Sequence, residues 1–188
     1  IEDIAWLRAI DNMTIVVPAD PIETAAAMRW AAEVEGPVFI RVSRMSVPEV
    51  YPEDYAFVPG RAVTLRDGDD VTLISNGTVL WRALVAAEQL ADEGVSARVI
   101  SMPTVKPLDR EAVVRAARET RGIVTAEEAT VAGALGSAVA ETVVQNHPTK
   151  MKILGVPEFA PTGSAGFLLD RYGMSPAGIA GAARKLIT

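Results

Sequence analysis

Arg44 is the side chain of this sequence best placed to bind an anion. It follows a predicted strand at residues 38–42, with only Ser43 between them. Open α/β sheets hold ligands at the carboxyl ends of parallel strands, and a guanidinium can bind a phosphate through two parallel hydrogen bonds. A surface or structural ion pair is the alternative role. Arg41, three positions earlier, is predicted to point to the opposite face of the strand and to be structural.

Two neighbouring carboxylates, Glu127 and Glu128, follow another predicted strand at residues 122–126. Such a pair can exchange protons with a substrate or bind a cation. No histidine or metal-ligand spacing accompanies them, so we favour a role in capping a helix or in an interface. The only histidine, His147, has no acid or nucleophile near it in the sequence and is predicted to be a solvated loop residue.

A glycine-rich segment at residues 133–137 opens a predicted helix. Free N–H groups at the start of a helix can bind an anion. This segment lacks the G-x-G-x-x-G spacing of dinucleotide sites, and the chain has no P-loop lysine. We therefore expect it to serve close packing of the helix on the sheet. The tryptophans and tyrosines form no stacking ladder and are assigned to the core or to interfaces.

Composition narrows the classes of function. The chain has 188 residues, of which 49% are hydrophobic, and a net charge of −6 without any basic tract. That balance allows a sizeable core and disfavours nucleic acid as a partner, because a phosphate backbone needs clustered Lys and Arg. The absence of cysteine excludes disulfides, cysteine-bound zinc and thiol catalysis, and it fits a cytoplasmic protein. No apolar run reaches the length of a membrane span, so no membrane association is expected.

Helices and strands alternate in the predicted order of elements. A β-branched run at residues 14–17 predicts the first strand, and Asp20, Pro21 and Glu23 provide the start signals of a helix that reaches about Val34. Further strands are predicted at residues 62–65, 71–74, 97–100, 122–126 and 151–154, and further helices at about 80–91, 109–118, 134–145 and 176–186. Asp67-Gly68 indicates a hairpin between the first two of these strands. Strands separated by such helices imply right-handed crossovers and a mainly parallel sheet.

Three segments are predicted. Residues 48–61 are punctuated by proline and lack helix or strand periodicity, which is typical of a linker between domains. Residues 1–47 would then form part of one α/β domain, and residues 62–188 a second domain. The sequence opens inside an amphipathic helical pattern, with Ile1 and Ile4 on its apolar side. We therefore expect the chain to be the later part of a longer protein, with part of its active site lying elsewhere.

Segments along nearly the whole chain resemble the transketolase family. Residues 1–13, 17–24 and 36–44 are similar to the end of the pyrimidine-binding domain, and residues 105–109, 124–128, 133–141, 172–174 and the final helix are similar to the C-terminal domain. The resemblance implies a partial α/β pyrimidine-binding domain followed by a three-layer α/β/α domain with a mainly parallel sheet. It is greatest to the C-terminal section of transketolases split into two polypeptides. Deoxyxylulose-phosphate synthase and the beta subunits of 2-oxo-acid dehydrogenases share this architecture and remain alternatives.

The resemblance implies an enzyme of the pentose phosphate pathway that uses thiamine diphosphate and Mg²⁺ to move a two-carbon ketol unit between sugar phosphates. The residues that hold or activate the cofactor in the family lie outside this chain, so we expect no cofactor bound to it alone and no activity from it alone. Arg44 matches the family's Ser-Arg that binds the phosphate end of the sugar. Ala129 stands where many relatives carry a histidine. The implied partners are the N-terminal section, a second copy of the enzyme and the sugar phosphate.

Two other classes of function remain open at this point. In one, the chain is a module without catalytic activity that dimerises or docks an enzyme. In the other, it is a small nucleotide-binding α/β protein that uses residues 133–137. We expect no binding of ATP or NAD, because the required glycine spacing is absent.

Overall fold

Two β-sheets with helices packed against them make up the protein, as seen in a computed structural model that describes residues 1–188. The strands are β1 Thr14–Val16, β2 Val38–Ile40, β3 Val63–Arg66, β4 Val71–Ser75, β5 Ala97–Ser101, β6 Thr104–Lys106, β7 Ile123–Thr130 and β8 Met151–Val156. The α-helices are α1 Asp3–Leu7, α2 Pro21–Ala31, α3 Leu80–Asp92, α4 Arg110–Glu119, α5 Leu135–Asn146, α6 Ala165–Arg171 and α7 Pro176–Ile187, and a 3₁₀ turn over Gly77–Val79 precedes α3.

The larger sheet has the strand order β3-β5-β4-β7-β8. Its four strands β5, β4, β7 and β8 run parallel, and only β3 is antiparallel. Every residue of β4 is buried, because helices cover both faces of the sheet. Leu73 packs with α3 and α7 on one face, while its neighbour Ile74 packs with α4 and α5 on the other. The predicted three-layer arrangement with a mainly parallel sheet is therefore confirmed.

The smaller sheet joins the first predicted segment to a strand of the third. Strand β1 pairs in parallel with β2 and antiparallel with β6, which follows β5 closely in sequence. The core beneath it is shared, because Ile4 and Ile15 belong to the same hydrophobic cluster as Ile100 and Ala134. The segment boundaries 1–47, 48–61 and 62–188 stay predictions, and a strand from the third segment completes the sheet of the first.

Helix starts follow the capping signals read from the sequence. Asp20 accepts a hydrogen bond from the Glu23 N–H at 2.7 Å, and the Glu23 carboxylate accepts one from the Ala19 N–H at 2.8 Å. Asp109 and Ser175 cap α4 and α7 in the same way. Helix α2 ends at Ala31, three residues earlier than predicted.

The predicted hairpin at Asp67-Gly68 is wrong. Strand β3 pairs with β5 and not with β4. A Cβ on Gly68 would collide with the backbone of Ala97 and Arg98, so the chain here passes directly over the start of β5. The glycine therefore allows two backbones to cross closely and does not form a two-residue turn.

Two elements go beyond the sequence predictions. Strand β6 has only three residues between Pro103 and Pro107, and its partner β1 lies about ninety positions earlier in the sequence. Helix α6 is capped by Ser164, contains Gly166 and buries only Leu169, so it has no apolar periodicity.

Candidate functional site

A polar cavity of about 200 Å³ lies at the carboxyl ends of strands from both sheets. Its lining residues are Val17, Pro18, Arg41, Val42, Ser43, Arg44, Asn76, Gly77, Thr78 and Glu128. They follow β1, β2 and β4, or lie near the end of β7. This is the place where α/β proteins hold ligands, because the ends of parallel strands and the starts of the following helices meet there.

The two arginines of this cavity differ in their partners. The Arg41 guanidinium donates to Asp3 Oδ2 at 3.0 Å and to the Glu128 carbonyl oxygen at 2.6 Å. The Arg44 side chain is exposed and makes no hydrogen bond or ion pair within the chain. Arg41 is thus structural, as expected, and Arg44 has its guanidinium available for a ligand. The predicted opposite orientation of the two is wrong, because β2 ends at Ile40 and both residues lie beyond it.

Glu128 lines the same cavity and is held by one hydrogen bond. The Thr78 hydroxyl donates to Glu128 Oε2 at 2.6 Å, and no group of the chain donates to Glu128 Oε1. Strand β7 continues to Thr130, so the glutamate pair lies within the strand, and the prediction that it follows the strand's end is wrong. Successive side chains of a strand point to opposite faces, and this separates Glu128 from Glu127.

Glu127 is fully buried and caps helix α5. Its carboxylate accepts hydrogen bonds from the backbone N–H groups of Leu135 and Gly136, at 2.9 and 2.8 Å. Burial raises the pKa of Glu127 to about 7, although these two donors act in the opposite direction. The pair therefore does not form an acid–base dyad. Glu127 thus has the capping role that we favoured for the pair. Its carboxylate also takes up N–H groups of the glycine-rich segment that were considered for anion binding.

Close packing is what the glycine-rich segment provides. A Cβ on Gly136 would lie 2.5 Å from Ile153 Cγ2 and 2.8 Å from Thr125 Oγ1. The expected role of residues 133–137 in seating α5 on the sheet thus agrees with the structure. His147 is exposed at the end of α5, and Ala129 is fully buried in the core.

Asn76 and Thr78 are site residues that the sequence reasoning missed, since the pattern of residues 75–78 predicts only a turn that starts a helix. Their position offered a further signal, because it directly follows the carboxyl end of β4, the same kind of position that singled out Arg44. The sequence does not predict that the end of β4 lies beside the end of β1. The structure shows this proximity, because the Gly77 N–H donates to the Val17 carbonyl at 3.1 Å.

The acidic and histidine side chains of this chain do not gather into a metal-binding cluster. No group of three or more His, Asp or Glu side chains lies close enough to hold a metal ion. The cavity around Arg44 contains a single carboxylate, Glu128. Separately, none of the helices is both long enough and apolar enough to cross a membrane.

Comparison with known proteins identifies the family. Residues 60–179 match the family described as "Transketolase, C-terminal domain", and residues 1–49 match "Transketolase, pyrimidine binding domain". The chain therefore belongs to the transketolase family, as the resemblance of its segments predicted.

Individual relatives agree with this assignment. The chain is 39% identical over 186 residues to "6-deoxy-6-sulfo-D-fructose transketolase subunit SqwH" of Clostridium sp. (strain MSTE9), covering 98% of this chain and 58% of the relative. It is 38% identical to one of the polypeptides of the apulose-4-phosphate transketolase of Phocaeicola vulgatus, covering 100% of this chain and 60% of the relative. A solved structure named "Split gene transketolase, inactive beta4 tetramer" superposes with a TM-score of 0.97 at 43% identity, over 100% of this chain and 62% of that one.

Proposed function

We propose that this chain forms the C-terminal part of a thiamine-diphosphate-dependent transketolase and binds the anionic end of the sugar substrate through Arg44. The observation that carries the proposal is the unpaired Arg44 guanidinium in a polar cavity at the carboxyl ends of strands from both sheets. Its neighbour Arg41 is already neutralised by Asp3, so Arg44 supplies the available positive charge of the cavity. A phosphate or another oxyanion of a sugar is the complementary group.

The cavity also suits the rest of a sugar. Glu128 and Thr78 line the cavity, Glu128 Oε1 accepts from no group of the chain, and hydroxyl groups of a sugar can hydrogen-bond to both side chains. Relatives are named for a sulfonated sugar and for a sugar phosphate, so we leave the acceptor sugar open. The pentose phosphate pathway and a cytoplasmic location are further proposals, which metabolite profiling of a deletion strain and cell fractionation would test.

We propose that catalysis requires a second polypeptide section and a dimer of the complete enzyme. This chain spans 58–60% of the two transketolase polypeptides named above. In the complete enzyme, thiamine diphosphate would supply the carbanion chemistry of ketol transfer, and it would be held with its divalent cation by residues outside this chain. The role of this chain is to orient the sugar by its charged end and to provide a docking platform.

Reconstitution tests this dependence. The chain alone and the chain mixed with the N-terminal section from the same genome are assayed with a ketose phosphate donor, an aldose phosphate acceptor, thiamine diphosphate and Mg²⁺. We expect turnover only from the mixture. Turnover by the chain alone would reject the dependence, and an assembled complex that remains inactive would favour the alternative role as an assembly module.

The substitution Arg44→Ala tests the role of the guanidinium in the assembled enzyme. Loss of a charge-assisted contact costs about 1.5–3 kcal/mol, so we expect the KM for a phosphorylated aldose to rise about tenfold to a hundredfold. The KM for the same aldose without its phosphate should change much less. Arg115→Ala, which removes an exposed arginine of α4 that makes no ion pair, is the matched control. An equal effect of Arg44→Ala on both aldoses would reject phosphate binding.

A further inference from the structure

Asn76 is a buried asparagine whose side-chain amide has no partner within the chain. The residue is 2% exposed, and its Nδ2 atom makes no hydrogen bond. It occupies the N-cap position of the 3₁₀ turn that precedes α3, where asparagine usually caps the helix, yet it makes no side-chain capping bond. An unsatisfied buried amide costs free energy, and no capping bond of the Asn76 side chain offsets that cost.

The surroundings of Asn76 indicate what its amide would bind. It lines the cavity that contains Arg44, together with the first residues of the helical run, Gly77 and Thr78. The turn over Gly77–Val79 continues directly into the thirteen residues of α3. The positive end of this helix therefore opens on the cavity, where it favours a negative group. A free guanidinium, an unpartnered amide and a helix start thus lie around one space.

We propose that Asn76 is a specificity-determining residue, whose enclosed amide nitrogen turns toward the cavity and donates a hydrogen bond to the oxyanion that Arg44 binds. This inference rests on the proposed function and assigns a second contact to the same substrate group. An oxyanion has several oxygens, so a bidentate guanidinium leaves one of them free for the amide. Since the Glu128 carboxylate repels an anion, the charged group binds on the Arg44 and Asn76 side and the sugar hydroxyls on the Glu128 side.

The substitution Asn76→Leu in the assembled enzyme tests this role, because leucine has the same branched shape and no polar atoms. We expect the ligand-free enzyme to keep or increase its melting temperature, since an unpartnered buried amide is removed. We expect the KM for a phosphorylated aldose to rise about tenfold, with the KM for the unphosphorylated aldose unchanged. Asn76→Asp, which places a carboxylate at the same position, should give a larger increase in the first KM through charge repulsion.

Thr125→Val is the matched control, because Thr125 Oγ1 is also buried without a partner but lies between β7 and α5, outside the cavity. It should change neither KM. If Asn76→Leu lowers the melting temperature and leaves both KM values unchanged, the amide is structural and the inference is wrong.

A binding measurement separates this inference from the proposed function. Thermal stabilisation of the complex by ribose 5-phosphate and by ribose is compared for the wild type and for Asn76→Leu, whether or not the complex turns over. We expect stabilisation by ribose 5-phosphate alone, and its loss in the variant. This result in an inactive complex would reject the proposed transketolase activity and keep the role of Asn76. Equal stabilisation of wild type and variant, or none in the wild type, would overturn the inference.

Discussion

Glu23 is a fully buried carboxylate between the start of α2 and the segment of residues 48–61. It accepts hydrogen bonds from the Ala19 N–H at 2.8 Å and from the Tyr55 hydroxyl at 3.0 Å. The Tyr55 ring stacks on the Tyr51 ring, with 4.0 Å between the ring centroids. Burial among these groups raises the pKa of Glu23 to about 7, although the hydrogen bonds act against the increase.

The raised pKa makes stability depend on pH. Between about pH 4.5 and 7 the unfolded chain releases the Glu23 proton while the folded protein keeps it, so the free energy of unfolding falls as the pH rises through this window. The variant Glu23→Gln has no ionisable carboxyl group at this position. The Tyr55 hydroxyl can turn to accept a hydrogen bond from the new amide. We expect the decrease between pH 5 and 8, measured by urea unfolding, to be smaller in the variant by about 2–3 kcal/mol.

Glu33→Gln is the control for this measurement, since Glu33 is an exposed carboxylate just beyond the end of the same helix. It should leave the pH dependence unchanged. Glu127, whose pKa also lies near 7, contributes a similar decrease that persists in both variants. An identical pH dependence in the wild type and in Glu23→Gln would contradict the effect of Glu23 burial.

Sequence reasoning at the scale of single residues identified Arg44 as a candidate because a strand end is a local feature. It assigned Arg41 a structural role but could not name Asp3 as its partner, since that pair spans 38 positions. Asn76 was not identified as a candidate site residue, because asparagine at this position suits a helix cap. Only the folded structure shows that its side chain makes no capping bond. Local sequence therefore predicts the position of a residue within its strand, helix or loop. The side chain's contact partner depends on packing between residues that are distant in sequence.

Helix α5 lies against the sheet at Gly136, where the spacing leaves no room for a side chain. The variant Gly136→Ala would force α5 away from Ile153 and Thr125, because its Cβ would lie within 2.8 Å of both. We expect the free energy of unfolding to fall by about 1–3 kcal/mol, as for other overpacked core positions.

Gly166 provides the comparison, because it is also the second residue of its helix and has open space around its Cα. The variant Gly166→Ala should raise stability by up to about 1 kcal/mol, since alanine has the higher helix propensity. Urea unfolding of the two variants gives both values. Equal effects would mean that helix propensity, and not the spacing between α5 and the sheet, governs Gly136.

At the scale of elements, the strands and helices of the α/β alternation followed from β-branched runs, apolar periodicity and capping residues. Asp20 is an example, because its cap depends on residues within one turn. The hairpin at Gly68 failed because the same Asp-Gly pair suits a tight turn and a close backbone crossing. Strand β6 was missed because three residues carry no periodicity, and its partner lies in another part of the chain.

For the whole molecule, hydrogen bonds and a common core link the chain's first residues to its second half. The Arg8 guanidinium donates to the Gly133 carbonyl at 2.8 Å, and Lys106 Nζ donates to the carbonyls of Arg8 and Ile10 at 3.0 and 2.6 Å. Residues of both halves also lie in one hydrophobic cluster. The segment of residues 48–61 is likewise held, because Asp20 Oδ2 accepts from the Val50 N–H at 2.7 Å.

These shared contacts predict that the chain unfolds in one cooperative transition. Trp81→Phe leaves fluorescence from Trp6 and Trp30 in the first segment, and the double variant Trp6→Phe/Trp30→Phe leaves Trp81 in α3. Urea unfolding of each protein is followed by tryptophan fluorescence and by circular dichroism. We expect the two midpoints to coincide within each protein. A separate, earlier fluorescence transition in the Trp81→Phe protein would contradict a shared core.

The pairing of β6, from the third segment, with β1 of the first has a consequence for protein engineering. A chimera made by joining two relatives within residues 48–61 would take β1 from one parent and Thr104–Lys106 from the other. In such a hybrid, β1 of one parent must pair with β6 of the other in the Ile15–Lys106 register. If it does not, β1 becomes an unpaired edge strand that can associate with another molecule. Recombination designs for this architecture should therefore transfer residues 104–106 together with the first 47.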